Sequence, residues 1–329
     1  MQIWRELAAV PDGFGPSVVT IGNFDGVHRG HASVLTRMCA DARAVDAQAV
    51  AVTFTPHPQQ VHRPDTAPPV ITGDDDRLEL LERTGLDAVL MLTYTLEFAR
   101  QTPDEFVRRY LVDGLRARTV VVGRDVRFGW NNSGDLSTMV ELGATYGFDV
   151  EVIEDVTPAE SADPGSAEDR VADPLRRRWS STWVRELLDA GDVVQAARVL
   201  GRPHRIRGTV VHGDARGRDL GFPTANLGPD ATGLVPADGV YAGWLRRASG
   251  VEEVLPAAIS IGTNPTFDGS ERRVEAYVLD RTDLDLYDQV VVLELVERLR
   301  PTLRFDSIDD LIIRMNDDVA RTREILDAG

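Results

Sequence analysis

The first half of the chain repeats one unit. Short β-branched runs, SVVTIG, AVAVTF, AVLML, TVVVG and VEVIEDV, alternate with segments of helical pattern. A βα repeat of this kind predicts a parallel sheet with helices on its faces. Between the first two runs, Val34, Leu35, Met38 and Ala42 recur at helical spacing and mark the first crossover helix. In such sheets ligands bind beyond the carboxyl ends of the strands, so polar motifs are sought just after each run.

The texture changes after a Pro-, Ala- and acid-rich stretch, TPAESADPGSAEDRVADP at 157–174, which reads as a surface loop. Asp192 and Gln195 have capping-box spacing and Gly201 stands where the following helix would stop. The domain boundary is placed near this helix, giving domains 1–196 and 197–329. Beyond it come RIRGTVVHG, GVYAGWLRR, VLPAAISIG, RRVEAYVLD and QVVVLELVERL, β-runs punctuated by turns, which predict a small antiparallel barrel. Ile308, Leu311, Ile312, Met315, Val319 and Ile325 then predict a C-terminal helix packed on that barrel.

Composition removes several classes of function. A chain of 329 residues exceeds one ordinary core, in keeping with two domains. No apolar run approaches the roughly 20 residues needed to cross a bilayer, and the start MQIWRELAAVP does not resemble a secretory leader, so a cytoplasmic protein is expected. The single cysteine, Cys39, reads as a core residue. A net charge of −17 argues against a general nucleic-acid binder, which needs a basic footprint. The sequence leaves a homo-oligomer open.

The segment GNFDGVHRGH, Gly22 to His31, follows the first strand and opens the first helix. Gly22, Gly26 and Gly30 allow backbone N–H groups to approach phosphate, a helix N-terminus favours an anion there, and Asn23, Phe24 and Asp25 complete the loop. His28 and His31 can both face one triphosphate and stabilise the charge developing at its α-phosphate. The alternative is that they merely cap a helix; a zinc pair would need a third ligand at suitable spacing. TFTPHP holds His57 after the second strand, and VVGRDVRFG offers Asp125 and Arg127 after the fourth, where a surface ion pair is an equal alternative. RRRWSSTWVR sets Ser181 and Thr182 at a helix start, with Arg178 and Arg185 near enough to pair with phosphate.

In the second half, VVHGDARGRDLGFPTANL joins a glycine-rich turn to Pro223, Thr224, Ala225 and Asn226. The Thr224 hydroxyl and the Asn226 amide oxygen are hard neutral ligands of the kind Mg²⁺ accepts, and N–H groups of the turn can hold phosphates. No Walker A sequence is present. In RRVEAYVLD, strand alternation sends Val274, Ala276 and Val278 to one face and Glu275 with Tyr277 to the other. On residues alone, an ordinary turn is the better reading of Pro223 to Asn226, and an ordinary cross-strand carboxylate is as good a reading of Glu275.

GNFDGVHRGH with SSTWVR resembles the H-x-G-H and S-S-T-x-x-R signatures of class I nucleotidyltransferases. TFTPHP and VVGRDVRFG narrow the resemblance to the FMN adenylyltransferase module of prokaryotic bifunctional riboflavin kinase/FAD synthetases. HGDARGRDLGFPTANL, GVYAGWL, SIGTNPTF and VEAYVLD are similar, in that order, to the riboflavin kinase module fused to it. The resemblance implies a Rossmann-like nucleotidyltransferase domain and a six-stranded kinase barrel. It implies Mg²⁺ on Thr224 and Asn226, Glu275 as base, and Gly213, Arg218, Gly221, Pro223 and Arg300 as nucleotide or flavin contacts. ATP would be co-substrate for both steps, with riboflavin and FMN as acceptors and FMN and FAD as products. The chain departs from the family at Val126, where Phe is usual, and at Pro301 and Thr302, where acidic residues are common. Two rivals remain: a nucleotidyltransferase for another substrate with a barrel that only binds, and a flavin carrier without turnover.

Overall fold

The computed structural model describes residues 1–153, 177–213, 221–248, 253–263, 272–281 and 283–327. Packing divides the chain into two units: Met1–Val70 with Asp74–Ser180, and Ile71–Gly73 with Ser181–Gly329.

The first unit holds six parallel strands: β1 Gln2–Trp4, β2 Ser17–Ile21, β3 Gln48–Thr55, β4 Ala88–Thr93, β5 Ala117–Gly123 and β6 Asp149–Ile153. Their order is β1-β4-β3-β2-β5-β6. Both faces are covered, so the strands read as near-continuous apolar runs, and alternate residues enter separate cores. Val50, Val52, Leu90, Leu92, Val120 and Val122 meet Phe106, Tyr110, Leu111 and Met139 on one side. Ala49, Ala51, Val89, Met91 and Val121 meet Leu35, Met38, Cys39 and Ala42 of α1, Arg29–Ala44, on the other. Cys39 is a buried free thiol, as its setting in the sequence predicts. The edge strand β1, only three residues long, carries too little pattern to be read from sequence.

Further helices of this unit are α2 Pro58–His62, α3 Asp74–Glu82, α4 Pro103–Phe106 continued as a π-helix over Val107–Gly114, and α5 Leu136–Tyr146. The chain winds from β2 through β3 and β4 to one side, then returns to place β5 on the other side of β2. The reversal opens the carboxyl-end crevice between β2 and β5.

The second unit contains α6 Ser181–Ala190, α7 Val193–Leu200, and strands β7 His204–Val211, β8 Thr224–Leu227, β9 Gly239–Arg247, β10 Val254–Gly262, β11 Arg273–Val278 and β12 Val290–Arg300. They close as an antiparallel barrel in the order β10-β11-β8-β7-β12-β9. Helix α7 is capped as its sequence predicts: the Asp192 carboxylate accepts from Gln195 N at 3.0 Å, and left-handed Gly201 ends it. The C-terminal helix α8, Ile308–Asp327, packs on β9, β10 and β12. Its inward stripe is Asp318, Thr322 and Leu326, with Leu311, Ile312, Met315, Val319 and Ile325 half-buried beside them. Ile308 is a correction: it opens the helix at 53% exposure and is not part of the buried stripe. The 157–174 stretch lies outside the described residues.

Candidate functional sites

In the first unit the loop from Gly22 to His28 folds back sharply, with Phe24, Gly26 and Val27 all at positive φ. The Phe24 ring lies against Gly22, where an added Cβ would come within 2.9 Å of it. His28 caps α1, its Nδ1 accepting from His31 N at 3.3 Å. An accepting Nδ1 fixes the proton of the neutral ring on Nε2. The two imidazoles stack, centroids 3.7 Å apart and 19° from parallel, and His31 also meets the Phe24 ring edge-on at 5.4 Å. Gly30 makes this possible: a Cβ there would stand 3.1 Å from the His28 ring.

Burial, helped by the Arg178 guanidinium, lowers the His31 pKa to about 4, so the ring is neutral at pH 7. Its Nδ1 is buried and has no hydrogen-bond partner among the described residues. Arg178 pairs with Asp125 at 3.3 Å, tying the loop after β5 to the segment that carries Trp179. Trp179 is buried, backs onto Gly30, and has Arg29 over its ring at 5.6 Å. Arg127 pairs instead with Asp135, 3.5 Å away on the exposed surface. Asp135 caps α5, and the Thr138 N–H with the Ser137 and Thr138 hydroxyls holds its carboxyl down at about 2. His57 caps α2 within a capping box completed by Gln60. The same carboxyl edge carries Phe54, Tyr94 and Phe98, half-buried rings in edge-to-face and tilted contact at 5.3 to 5.8 Å.

Ser181 and Thr182 open α6 and Arg185 follows one turn later, so the S-S-T-x-x-R segment begins in the last residue of the first packing unit and continues on a helix of the second.

In the barrel, β8 and β11 pair antiparallel with Asn226 opposite Glu275 and Thr224 opposite Tyr277. Directly opposite residues share a face. Alternation falls as the sequence predicts: Val274, Ala276 and Val278 are buried, while Glu275 and Tyr277 stand on the other face. Thr224 and Asn226 share that face, with Asn226 Nδ2 donating to Thr224 O at 3.3 Å. Gly213 leaves the space Asn226 occupies, since a Cβ there would stand 2.6 Å from its amide nitrogen. Gly221 takes φ +88, and Phe222 packs edge-on against Tyr277 at 5.2 Å. Pro223 leads directly into β8. Arg218 lies outside the described residues. Arg300 is held by Asp318 of α8 through a two-armed pair, Nε at 3.0 Å and Nη2 at 2.6 Å, with both side chains nearly buried.

Family models agree with this division of labour. The FAD synthetase model matches residues 12–163 and the riboflavin kinase model residues 200–326. The bifunctional riboflavin kinase/FMN adenylyltransferase of Escherichia coli strain K12 is 35% identical over 93% of this chain and 92% of its own. That of Pseudomonas fluorescens is 36% identical, covering 99% and 98%. The chain belongs to the bifunctional riboflavin kinase/FMN adenylyltransferase family. A crystal structure described as a macrolide-efflux protein from Streptococcus pneumoniae shares the fold, with a TM-score of 0.78 at 28% identity over 98% of both chains. No helix among the described residues of this family member is long and apolar enough to cross a membrane.

Of the residues singled out in the sequence, the first unit brings together His28, His31, Gly30, Asp125 and Arg178, and leaves Arg127 in a surface pair. The barrel brings together Thr224, Asn226, Glu275 and Gly213, and leaves Arg300 committed to Asp318. Two contributors carried no sequence signal of their own. Trp179 stands among polar residues and shows its role only once it lies behind Gly30. Buried Arg77 donates to Asn23 O at 3.0 Å, to Phe54 O at 2.9 Å and to Asp74 at 2.8 Å, bracing the loop after β2 against the end of β3. Its partners include two backbone carbonyls distant in sequence, which no local pattern announces.

Proposed function

We infer that this chain makes FMN and then FAD: it phosphorylates riboflavin with ATP, and adenylylates FMN with a second ATP, releasing pyrophosphate. The observation that carries this reading is that the two matched modules follow one another along the chain, the histidine loop lying within the first and the Thr224, Asn226 and Glu275 face within the second. The adenylyltransferase module is assigned to 1–196 and the kinase module to 197–329, in a protein expected to work in the cytoplasm.

In adenylyl transfer an FMN phosphate oxygen attacks the α-phosphorus of ATP as the bond to pyrophosphate breaks. His28, with its proton on Nε2, and His31 are assigned the growing charge on the α-phosphate and the leaving group. The glycine loop Gly22–Gly26 and the start of α1 are assigned the phosphates, Asp125 and Arg178 the far side of the nucleotide, and Ser181, Thr182 and Arg185 the pyrophosphate portion. The half-exposed rings of Phe54, Tyr94 and Phe98 offer a flat apolar surface for the flavin.

In the kinase step the riboflavin 5′-hydroxyl oxygen attacks the γ-phosphorus and ADP leaves. Glu275 is assigned as the base that takes the hydroxyl proton. Two hard oxygen donors on one face, beside a carboxylate and backed by the Gly213 cradle, fit a magnesium ion held by Thr224 and Asn226. When bound it would neutralise phosphate charge. Gly213, Gly221, Pro223 and Arg218 are assigned to the nucleotide. Arg300 would reach a flavin only from within its pair with Asp318.

Incubation of the purified protein with riboflavin, ATP and Mg²⁺, followed by separation of flavins, tests the reading: FMN and then FAD should accumulate. Unchanged flavin bound to protein would support the carrier, and no flavin binding at all a transferase for another substrate.

A further inference from the structure

Strand β7 ends at Val211, directly opposite Asn226 of β8, so the two residues that follow lie beside that asparagine. A Cβ on Gly213 would stand 2.6 Å from Nδ2, 2.7 Å from Cγ and 2.8 Å from Oδ1 of Asn226. The whole amide therefore rests on the Gly213 backbone. Asn226 Nδ2 donates to Thr224 O at 3.3 Å and to Thr224 Oγ1 at 3.4 Å. A donating amide nitrogen cannot also hold a cation, which reserves Oδ1 for one.

His212, the residue before Gly213, is exposed, yet its ring is held. It stacks on Tyr287, centroids 3.8 Å apart and 27° from parallel. Tyr287 stands on a firm support, the turn just ahead of β12. Leu286 is buried, and its carbonyl accepts from Gln289 N at 3.1 Å to close the turn. Asp288 N donates to Val210 O and Val210 N donates to Gln289 O, each at 2.9 Å, so the turn is bonded to the end of β7.

We propose that Tyr287 is a positioning residue for magnesium at the kinase site: its ring holds His212, His212 holds Gly213, and Gly213 backs the Asn226 amide. The inference rests on the reading that Thr224 and Asn226 hold the ion. Glycine has the freest backbone of any residue and no side chain to anchor it, so its neighbours decide where Gly213 lies. A stacked ring pair biases such an equilibrium by up to about tenfold. Mg²⁺ demands near-ideal octahedral geometry, so an amide oxygen free to drift is a poorer ligand. Loss of the stack therefore weakens the ion without touching the group that takes the hydroxyl proton.

The test follows riboflavin phosphorylation by the full chain against free Mg²⁺. Separately, without turnover, it follows Mn²⁺ binding in the presence of ADP by the electron paramagnetic resonance signal of the free ion. Asn226→Ala, measured in parallel, identifies the ion that belongs to this face. Tyr287→Ala should raise the Mg²⁺ concentration for half-maximal rate about three- to tenfold and weaken that Mn²⁺ by a similar factor. Its kcat at saturating Mg²⁺ should stay within about twofold of the parent, and adenylylation of supplied FMN should be unchanged. Tyr287→Phe keeps the ring and should behave as the parent. His212→Ala removes the other half of the stack and should reproduce Tyr287→Ala, or stand in for it if that variant does not fold. Added to Asn226→Ala, Tyr287→Ala should have no further effect on the ion. If Asn226→Ala leaves both the Mg²⁺ requirement and Mn²⁺ binding as in the parent, the reading of the magnesium face fails and the inference with it. If Asn226→Ala weakens both while the Tyr287 and His212 variants match the parent, the positioning role alone is overturned. A fall in kcat that saturating Mg²⁺ does not restore, or an equal loss in Tyr287→Phe, would also overturn it.

Discussion

His28 and His31 stack face to face, and burial beside the Arg178 guanidinium keeps the His31 ring neutral at pH 7. Replacing both with Ala should cut FAD formation by 10²-fold or more, since one preorganised charge-stabilising group is worth about 10² to 10³ in rate. Riboflavin phosphorylation by the same variant should be unchanged; parallel loss in a folded protein would refute the two-site reading. Glu275→Gln keeps size and hydrogen bonding but cannot accept the proton, so FMN production should fall about 100-fold or more with adenylylation of supplied FMN retained. A single-turnover rate within about threefold of the parent would return Glu275 to the role of a cross-strand partner. His204 gives a pH prediction. Burial, opposed by the carbonyl of Leu234, lowers its pKa to about 4, against 6.5 for the exposed group. The unfolded chain therefore binds the proton first, and stability is lost as pH falls from about 6.5 towards 4, by up to about 3 kcal/mol. Denaturant titrations at pH 7 and pH 4.5 should show this loss, and a folded His204→Gln variant should show less of it.

Elements in the barrel are locked by charges that alternation does not reveal. Glu294 of β12 is buried between Arg205 of β7, at 2.7 Å, and Arg246 of β9, at 3.0 Å. Removing the shared carboxylate leaves two cations facing each other across three strands. Glu294→Ala should lower barrel stability by about 3 to 5 kcal/mol, read as a drop in the denaturant midpoint. The sequence shows QVVVLELVERL as a strand without showing what the glutamate inside it meets. Only barrel closure, which brings β7, β12 and β9 side by side, makes it a buried bridge. The same limit explains Ile308, which fits the helical apolar spacing but stands exposed at the start of the helix.

At the scale of the molecule, the packing division at Ser180 and Ser181 predicts which fragment behaves as a unit. Helix α7 buries Val193, Ala196, Val199 and Leu200 and packs on β12 and β7. A fragment beginning at Ser181 should therefore phosphorylate riboflavin without making FAD. One beginning at Gly201 should melt at lower temperature, because it exposes the strand surface α7 covers. Equal melting temperatures would show that α7 adds nothing to the barrel.

Local pattern was enough for the βα repeat, the barrel runs, the α7 cap, and the alternation that sets Glu275 apart from Val274 and Ala276. These depend on periodicity and capping over a few neighbouring residues, and the motifs that carry the family resemblance are equally local. What the sequence could not contain was adjacency between distant segments. That β5 returns beside β2, so that Asp125 and Arg178 meet the histidine loop, is set by strand order. That Asn226 faces Glu275 is set by register, and that Arg300 turns to Asp318 by the docking of α8. Such pairings are chosen by whichever packing buries the most apolar surface with every charge matched, a property of the closed molecule rather than of any stretch of chain.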